Sequence, residues 1–259
     1  MTMLDALPAS DVGHGELTLV LMHSFGSSGR EWDACGRILS ADHRCLALDL
    51  PGHGRAAAVE GYSVDAMRRA VLRTLEQHGV RRYVLVGHSM SGKVATALAA
   101  ERPEGLAGLV MVSPSPPSPE PIKDADRQRM LAMDRRRADA ESFLDNVTAS
   151  PLEGATRDAA IDDFLACSPA AWRAWLEHGS NEDWAARVGR IDCPALVLVG
   201  DRDPAMPKDV HERLTLPHLA DAQLQVLPGC GHLPPREMPG QLADTMGVWL
   251  ARRLSAKKE

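Results

Sequence analysis

Residues 83–93 read YVLVGHSMSGK, and the stretch KVATALAAE runs on from Lys93. The apolar run Tyr83 to Val86 has the length and character of a buried strand, and the Ala- and Leu-rich segment after Gly92 has the composition of a helix. Between them Ser89 stands among small residues at a strand-to-helix corner. A serine there is either a helix cap or a nucleophile held out on a strained turn. The rest of the chain bears on which.

Runs of the same kind recur: LTLVLMH (17–23), CLALDL (45–50), GLVMVS (108–113), ALVLVG (195–200) and QLQVL (223–227). They are near-continuously apolar rather than alternating, as strands covered by helices on both faces are. Segments 62–79, 90–102 and 207–220 between them have helical character, and the C-terminal segment puts Leu242, Met246, Trp249, Leu250 and Leu254 on one face. This alternation predicts an α/β fold with a mainly parallel, doubly wound sheet. The N-terminal region is short, so one or both leading antiparallel edge strands are expected to be missing or reduced.

The alternation stops between Ser113 and about Asp192. That block opens with SPSPPSPEP, whose prolines favour an extended, stiff linker. It goes on with helix-like segments carrying Met130, Met133, Phe143, Phe164, Trp172 and Trp175. The expected organisation is a core of residues 1–113 and 191–259, with 114–190 inserted as a helical cap over the carboxyl edge of the sheet, where α/β folds bind ligands.

Five loops fall just past the carboxyl ends of these strands: HSFGSSGREWD (23–33), DLPGHGR (49–55), GHSMSG (87–92), GDRD (200–203) and GCGH (229–232). In these stretches the chain resembles the α/β-hydrolase family, over nearly all its length outside the cap. GHSMSG is similar to the nucleophile elbow G-x-S-x-G, GDRDP to the acid loop and GCGHLPPREMP to the histidine loop, in the family's order of Ser, Asp and His. The resemblance implies Ser89 as nucleophile, Asp203 as acid and His232 as base. It also implies an oxyanion hole from the backbone N–H groups of Met90 and Phe25.

The residue types suit that chemistry. A serine hydroxyl is a weak nucleophile until an imidazole removes its proton, and a carboxylate behind the imidazole fixes its tautomer. The chain departs from the family pattern at Ser91 and at Ser24, where glycine is usual. Ser91 leaves the elbow slightly less room. Ser24 would either narrow the acyl pocket or add a third donor. Asp201 rivals Asp203 as the acid, although the G-x-x-D spacing favours Asp203. His23, His53 and His88 read as structural histidines of their motifs, and Cys230 reads as an inert thiol.

The function expected is a serine hydrolase, carboxylesterase-like, that cleaves a small uncharged ester or related acyl compound through an acyl-enzyme. Its pocket would be lined by Ser24 and by some of the six cap residues named above. Carbon–carbon bond hydrolysis, lactonase, perhydrolase or peptidase activity on the same triad, or a non-catalytic ligand receptor on the same fold, are the alternatives. No metal or cofactor is called for.

Composition narrows the remaining classes. Hydrophobic residues at 44% and charged residues at 25% are those of an ordinary globular chain. A net charge of −6, without a dense Lys/Arg stripe, argues against nucleic acid as a partner. No apolar stretch reaches the roughly 18 residues of a membrane span. The five cysteines (35, 45, 167, 193 and 230) show no CxxC spacing, and the N-terminal stretch lacks signal-peptide character, so a reducing, cytoplasmic setting is expected. The basic tail ARRLSAKKE reads as frayed. Oligomeric state is not legible.

Overall fold

A computed structural model describes residues 6–254; the last five residues of the basic tail lie outside it. Seven strands among the described residues form one sheet: β1 (Ala9–Val12), β2 (Thr18–Met22), β3 (Arg44–Leu48), β4 (Tyr83–His88), β5 (Leu106–Val112), β6 (Ala195–Gly200) and β7 (Ala222–Leu227). Their order is β1-β3-β2-β4-β5-β6-β7, with β1 antiparallel to β3 and every other pairing parallel.

The apolar runs become strands because both faces are covered, and successive side chains feed different cores. In β2, Val20 and Met22 join the cluster under α2 (Val64–Gln77) and α3 (Met90–Ala99), while Leu19 and Leu21 join the one under α1 (Asp33–Leu39) and α11 (Pro239–Leu254). The apolar face of α11 is buried in the second cluster as its spacing predicts.

One leading antiparallel strand is present as β1, four residues long, in line with the reduced edge expected. Two expectations need adjustment. The edge strand β7 is not covered on both faces: Val226 is 39% exposed and the two glutamines alternate with the apolar residues. The helix expected over 207–220 stops early, as α9 (Lys208–Leu214), and a short 3-10 turn holds Pro217, whose ring and missing N–H are incompatible with a helix interior.

Between β5 and β6 lie only helices: α4 (Asp124–Leu131), α5 (Arg137–Val147), α6 (Gly154–Ala166), α7 (Pro169–Glu177) and α8 (Ala185–Val188). Ala140, Leu144, Ile161, Phe164 and Trp172 make a third cluster, which Leu233 of the histidine loop and Phe25 of the loop after β2 complete. The proline-rich entry to this block is not a free spacer. Its first residues are buried against the elbow, where Ser115 N–H donates to the Ser89 carbonyl at 2.8 Å.

Candidate active site

Ser89 sits between β4 and α3 with φ 50° and ψ −118°. That is a costly backbone for a residue with a Cβ, of the kind found where surrounding structure enforces it. Its side chain makes no cap bond to α3. The neighbours must be small. A Cβ at position 87 would lie 2.7 Å from the Ser91 carbonyl oxygen, and one at 92 would lie 2.3 Å from the Pro114 Cβ. Ser91 is accommodated because its hydroxyl is used: it accepts from His88 N–H at 2.9 Å and lies 2.8 Å from the Met22 carbonyl oxygen.

The Ser89 hydroxyl lies 2.8 Å from Nε2 of His232, and Nδ1 of the same ring lies 2.8 Å from Oδ2 of Asp203. A carboxylate only accepts, so Nδ1 carries the proton and Nε2 turns a lone pair to the serine. The other Asp203 oxygen accepts from Ala205 and Met206 N–H, both at 2.9 Å. Burial alone would raise the Asp203 carboxyl, but His232 and these N–H donors hold it well below the carboxylate range. Burial alone would lower His232, and the adjacent Asp203 outweighs it, so the ring is raised above its ordinary value. Asp201 is exposed, with its carboxylate on Gly229 N–H at 2.7 Å.

Met90 follows Ser89 at the start of α3 and Phe25 lies in the loop after β2, and among the described residues neither backbone N–H is hydrogen-bonded. Ser24 is otherwise engaged: its hydroxyl donates to Glu31 Oε2 at 2.8 Å and its N–H to Oε1 at 3.0 Å. The hydroxyl is therefore turned toward Glu31, which leaves its proton unavailable as a third donor. Cys230 is buried, and burial pushes its thiol up to about 12.

The six cap residues divide. Phe143 and Phe164 line a small cavity of about 20 Å³ together with Ser24, Phe25, Leu233 and Arg236. Trp172 stacks on Phe25 at 4.3 Å between ring centroids. Met130 and Met133 pack at the outer edge of the same cluster. Trp175 belongs to the cluster that also holds Met90 and Val94, and its ring lies 6.5 Å from that of Phe25.

Several residues near the site carry no sequence signal of their own. Arg236 brings a charge to the cavity lining, and Asp163 pairs with it at 2.5 Å. Asp163 also accepts from Ser28 Oγ at 2.7 Å and from Arg30, which ties α6 to the loop after β2. Glu120 is buried near His232 and Lys93; burial pushes its carboxyl up and the Lys93 charge opposes this. Lys93, itself buried, donates to the carbonyls of Ser180 and Glu182 at 3.0 and 2.9 Å. Leu233 could have been found as the residue after His232. The others come together only through the tertiary fold.

A sequence model of the Alpha/beta hydrolase family matches residues 19–245. The chain belongs to that family. As an alpha/beta hydrolase it is 29% identical over 246 residues to a 2-succinyl-6-hydroxy-2,4-cyclohexadiene-1-carboxylate synthase of an Enterobacter species, covering 91% of this chain and 92% of that one. It is 28% identical over 238 residues to a pimeloyl-[acyl-carrier protein] methyl ester esterase of Nitrosomonas europaea, covering 87% and 92%. Among solved structures, this hydrolase-family fold superposes on a thermophilic esterase from Thermogutta terrifontis with a TM-score of 0.83 and 26% identity, covering 96% and 94% of the two chains. No helix among the described residues is long and apolar enough to cross a membrane.

Proposed function

We propose that this alpha/beta hydrolase is a serine hydrolase that cleaves a small, uncharged ester through an acyl-enzyme. The observation that carries the reading is the unbroken relay from the Ser89 hydroxyl through His232 to Asp203, with the serine on a strained corner. As Oγ attacks the substrate carbonyl, Nε2 of His232 takes its proton, and Asp203 stabilises the imidazolium. The oxyanion forms beside the N–H groups of Phe25 and Met90, where fixed dipoles act without reorganising. His232 then passes the proton to the departing alkoxide, leaving Ser89 acylated. Water repeats the sequence in reverse roles and releases the acid.

Two similar proteins are esterases, which supports the bond type, and the cavity beside Phe25, at about 20 Å³, leaves little free volume next to that residue. Every proton transfer in the cycle falls to a side chain of this protein, so no cofactor is required.

Purified protein offered p-nitrophenyl acetate, butyrate and octanoate is expected to turn over the acetate best. A serine-directed phosphonate is expected to add once, on Ser89. A protein that binds these compounds without turnover would be a receptor on a hydrolase fold. Faster cleavage of a carbon–carbon ring-cleavage product than of any ester would move the reaction class while keeping the triad.

A further inference from the structure

Behind the relay lies a second pair that the mechanism does not use. Glu31 and His88 have side chains 1% and 0% exposed, with Oε1 of the glutamate 2.8 Å from Nδ1 of the histidine. Nε2 of His88 lies 2.7 Å from the backbone carbonyl oxygen of His232. Both ring nitrogens thus face acceptors, a carboxylate on one side and a backbone carbonyl on the other. Burial alone would raise the Glu31 carboxyl, but the His88 ring beside it, with His23 and Arg236 in range, holds it down to about 2.

We propose that Glu31 and His88 are positioning residues that hold the three working loops of the site in register. The bonds of the pair join the loop after β2, the elbow and the histidine loop. Glu31 takes both the N–H and the hydroxyl of Ser24, the residue before Phe25. His88 is the residue before Ser89, and its second nitrogen grips the carbonyl of His232 itself. Phe25 directly follows a residue bonded to this buried pair, the nucleophile directly follows a member of it, and the base is bonded to it. Ser91 closes the arrangement by bonding both His88 N–H and the Met22 carbonyl at the end of β2.

Stability alone does not account for such a pair. Taking such groups out of water is costly, and a well-packed apolar pair of similar volume often serves the fold as well. An apolar pair could not make the bonds to Ser24 and His232. The inference rests on reading Ser89, His232 and Phe25 as the working groups.

The test is steady-state hydrolysis of p-nitrophenyl acetate by the wild type, E31Q, H88N and the double variant, with melting temperatures alongside. E31Q keeps the side-chain shape and removes the carboxylate charge that faces Nδ1 of His88. Each folded single variant is expected to lose roughly 10- to 100-fold in kcat with KM within about threefold, the signature of misplaced reacting groups rather than lost binding. The double variant is expected to be no worse than the weaker single, because the two act as a unit. A folded E31Q with wild-type kcat overturns the proposal. So do losses that add in the double variant, or variants that all fail to fold, which would make the pair a stability element. A wild type without turnover, or an S89A variant as active as the wild type, counts instead against the serine-hydrolase reading on which the pair's role depends.

Discussion

Nε2 of His232 lies 2.8 Å from Oγ of Ser89 across 143 residues of chain. Neither group reaches the other through local structure. The serine is presented by the turn between β4 and α3, and the histidine by the loop after β7. The histidine loop is fixed from the cap side, by His232 N–H donating to the Val147 carbonyl at 2.8 Å. It is fixed from below by Glu237, which accepts from Gly231 and Leu233 N–H at 3.0 and 2.9 Å.

Replacing the serine tests the relay directly. Because the Ser89 side chain caps nothing, Ser89→Ala is expected to leave the melting temperature near the wild-type value. Ester turnover is expected to fall roughly 10⁴-fold or more, and the phosphonate adduct is expected to disappear. Labelling that persists on another residue would reassign the nucleophile.

The acid is expected at 203 and not at 201. Asp203→Asn should cost on the order of 10³- to 10⁴-fold in turnover, since an amide favours the wrong histidine tautomer. The Asp201 carboxylate is exposed and serves only Gly229 N–H, so Asp201→Asn is expected to change turnover by about threefold at most. Steady-state rates of the two variants, compared at one pH, check the ranking.

The pH profile follows from the raised His232. The base works only when neutral, so kcat/KM should fall on the acid side with a midpoint above 6.5, the ordinary histidine value. The Asp203 charge is what lifts it. In Asp203→Asn that lift is lost while Glu120 and Glu237 still oppose burial, and the residual activity should show its acid limb at lower pH than the wild type. An acid limb that stays in place would remove Asp203 from its role. The same interaction affects stability with the opposite dependence for the two partners. The raised His232 stabilises the fold below the unfolded histidine pKa and ceases to as pH rises through its folded value; the depressed Asp203 stabilises above the unfolded carboxylate value and ceases to as pH falls through its own.

What was legible in the sequence was whatever local pattern or one-dimensional order encodes. Continuous apolar runs marked five strands, because a strand buried on both faces cannot alternate, and the alternating run of β7 marked a sixth. The order of the three loops after β4, β6 and β7 placed Ser89, Asp203 and His232 on one edge. The seven-residue α1 was missed because so short a helix completes barely two turns of periodicity. Glu31, Asp163 and Glu120 were missed for a different reason. A buried carboxylate is defined by its partners, and the partners of Glu31 and Asp163 lie up to 135 residues away in sequence. The cap aromatics could be assigned to the insertion but not to a side of it, since Trp172 and Trp175 are only three residues apart on α7 and face different clusters.

Asp163 is expected to latch the cap to the core. It is 1% exposed, and Arg236, whose side chain is 6% exposed, depends on it for its charge partner. Asp163→Ala would take away the carboxylate in contact with that buried guanidinium and leave Glu31 only at longer range, and breaking a buried pair in this way typically costs about 3–5 kcal/mol. Arg30 is half exposed and adds less. The variant should melt lower than the wild type, with limited proteolysis cutting first between residues 114 and 190. Cleavage spread evenly over the chain would show that the cap is held by its apolar packing instead.

The two aromatic fates in the cap give the last prediction. Phe143 is half-buried and lines the cavity beside Phe25, with its ring 5.7 Å from Trp172. Trp175 packs with the core under α3, where a Cβ at Gly179 would already meet its ring at 2.4 Å. If the cavity receives part of the substrate, Phe143→Ala should enlarge it and raise butyrate turnover relative to acetate, each methylene in an apolar pocket being worth about 1–3 kcal/mol. Melting temperature should change little, because the ring is already partly in solvent. Trp175→Ala removes a buried core side chain and should cost about 3–5 kcal/mol of stability, while the butyrate-to-acetate ratio of the folded fraction stays at the wild-type value. Measuring both ratios and both melting curves separates pocket from core. A ratio that moves in Trp175→Ala and not in Phe143→Ala would place the substrate on the other side of the cap.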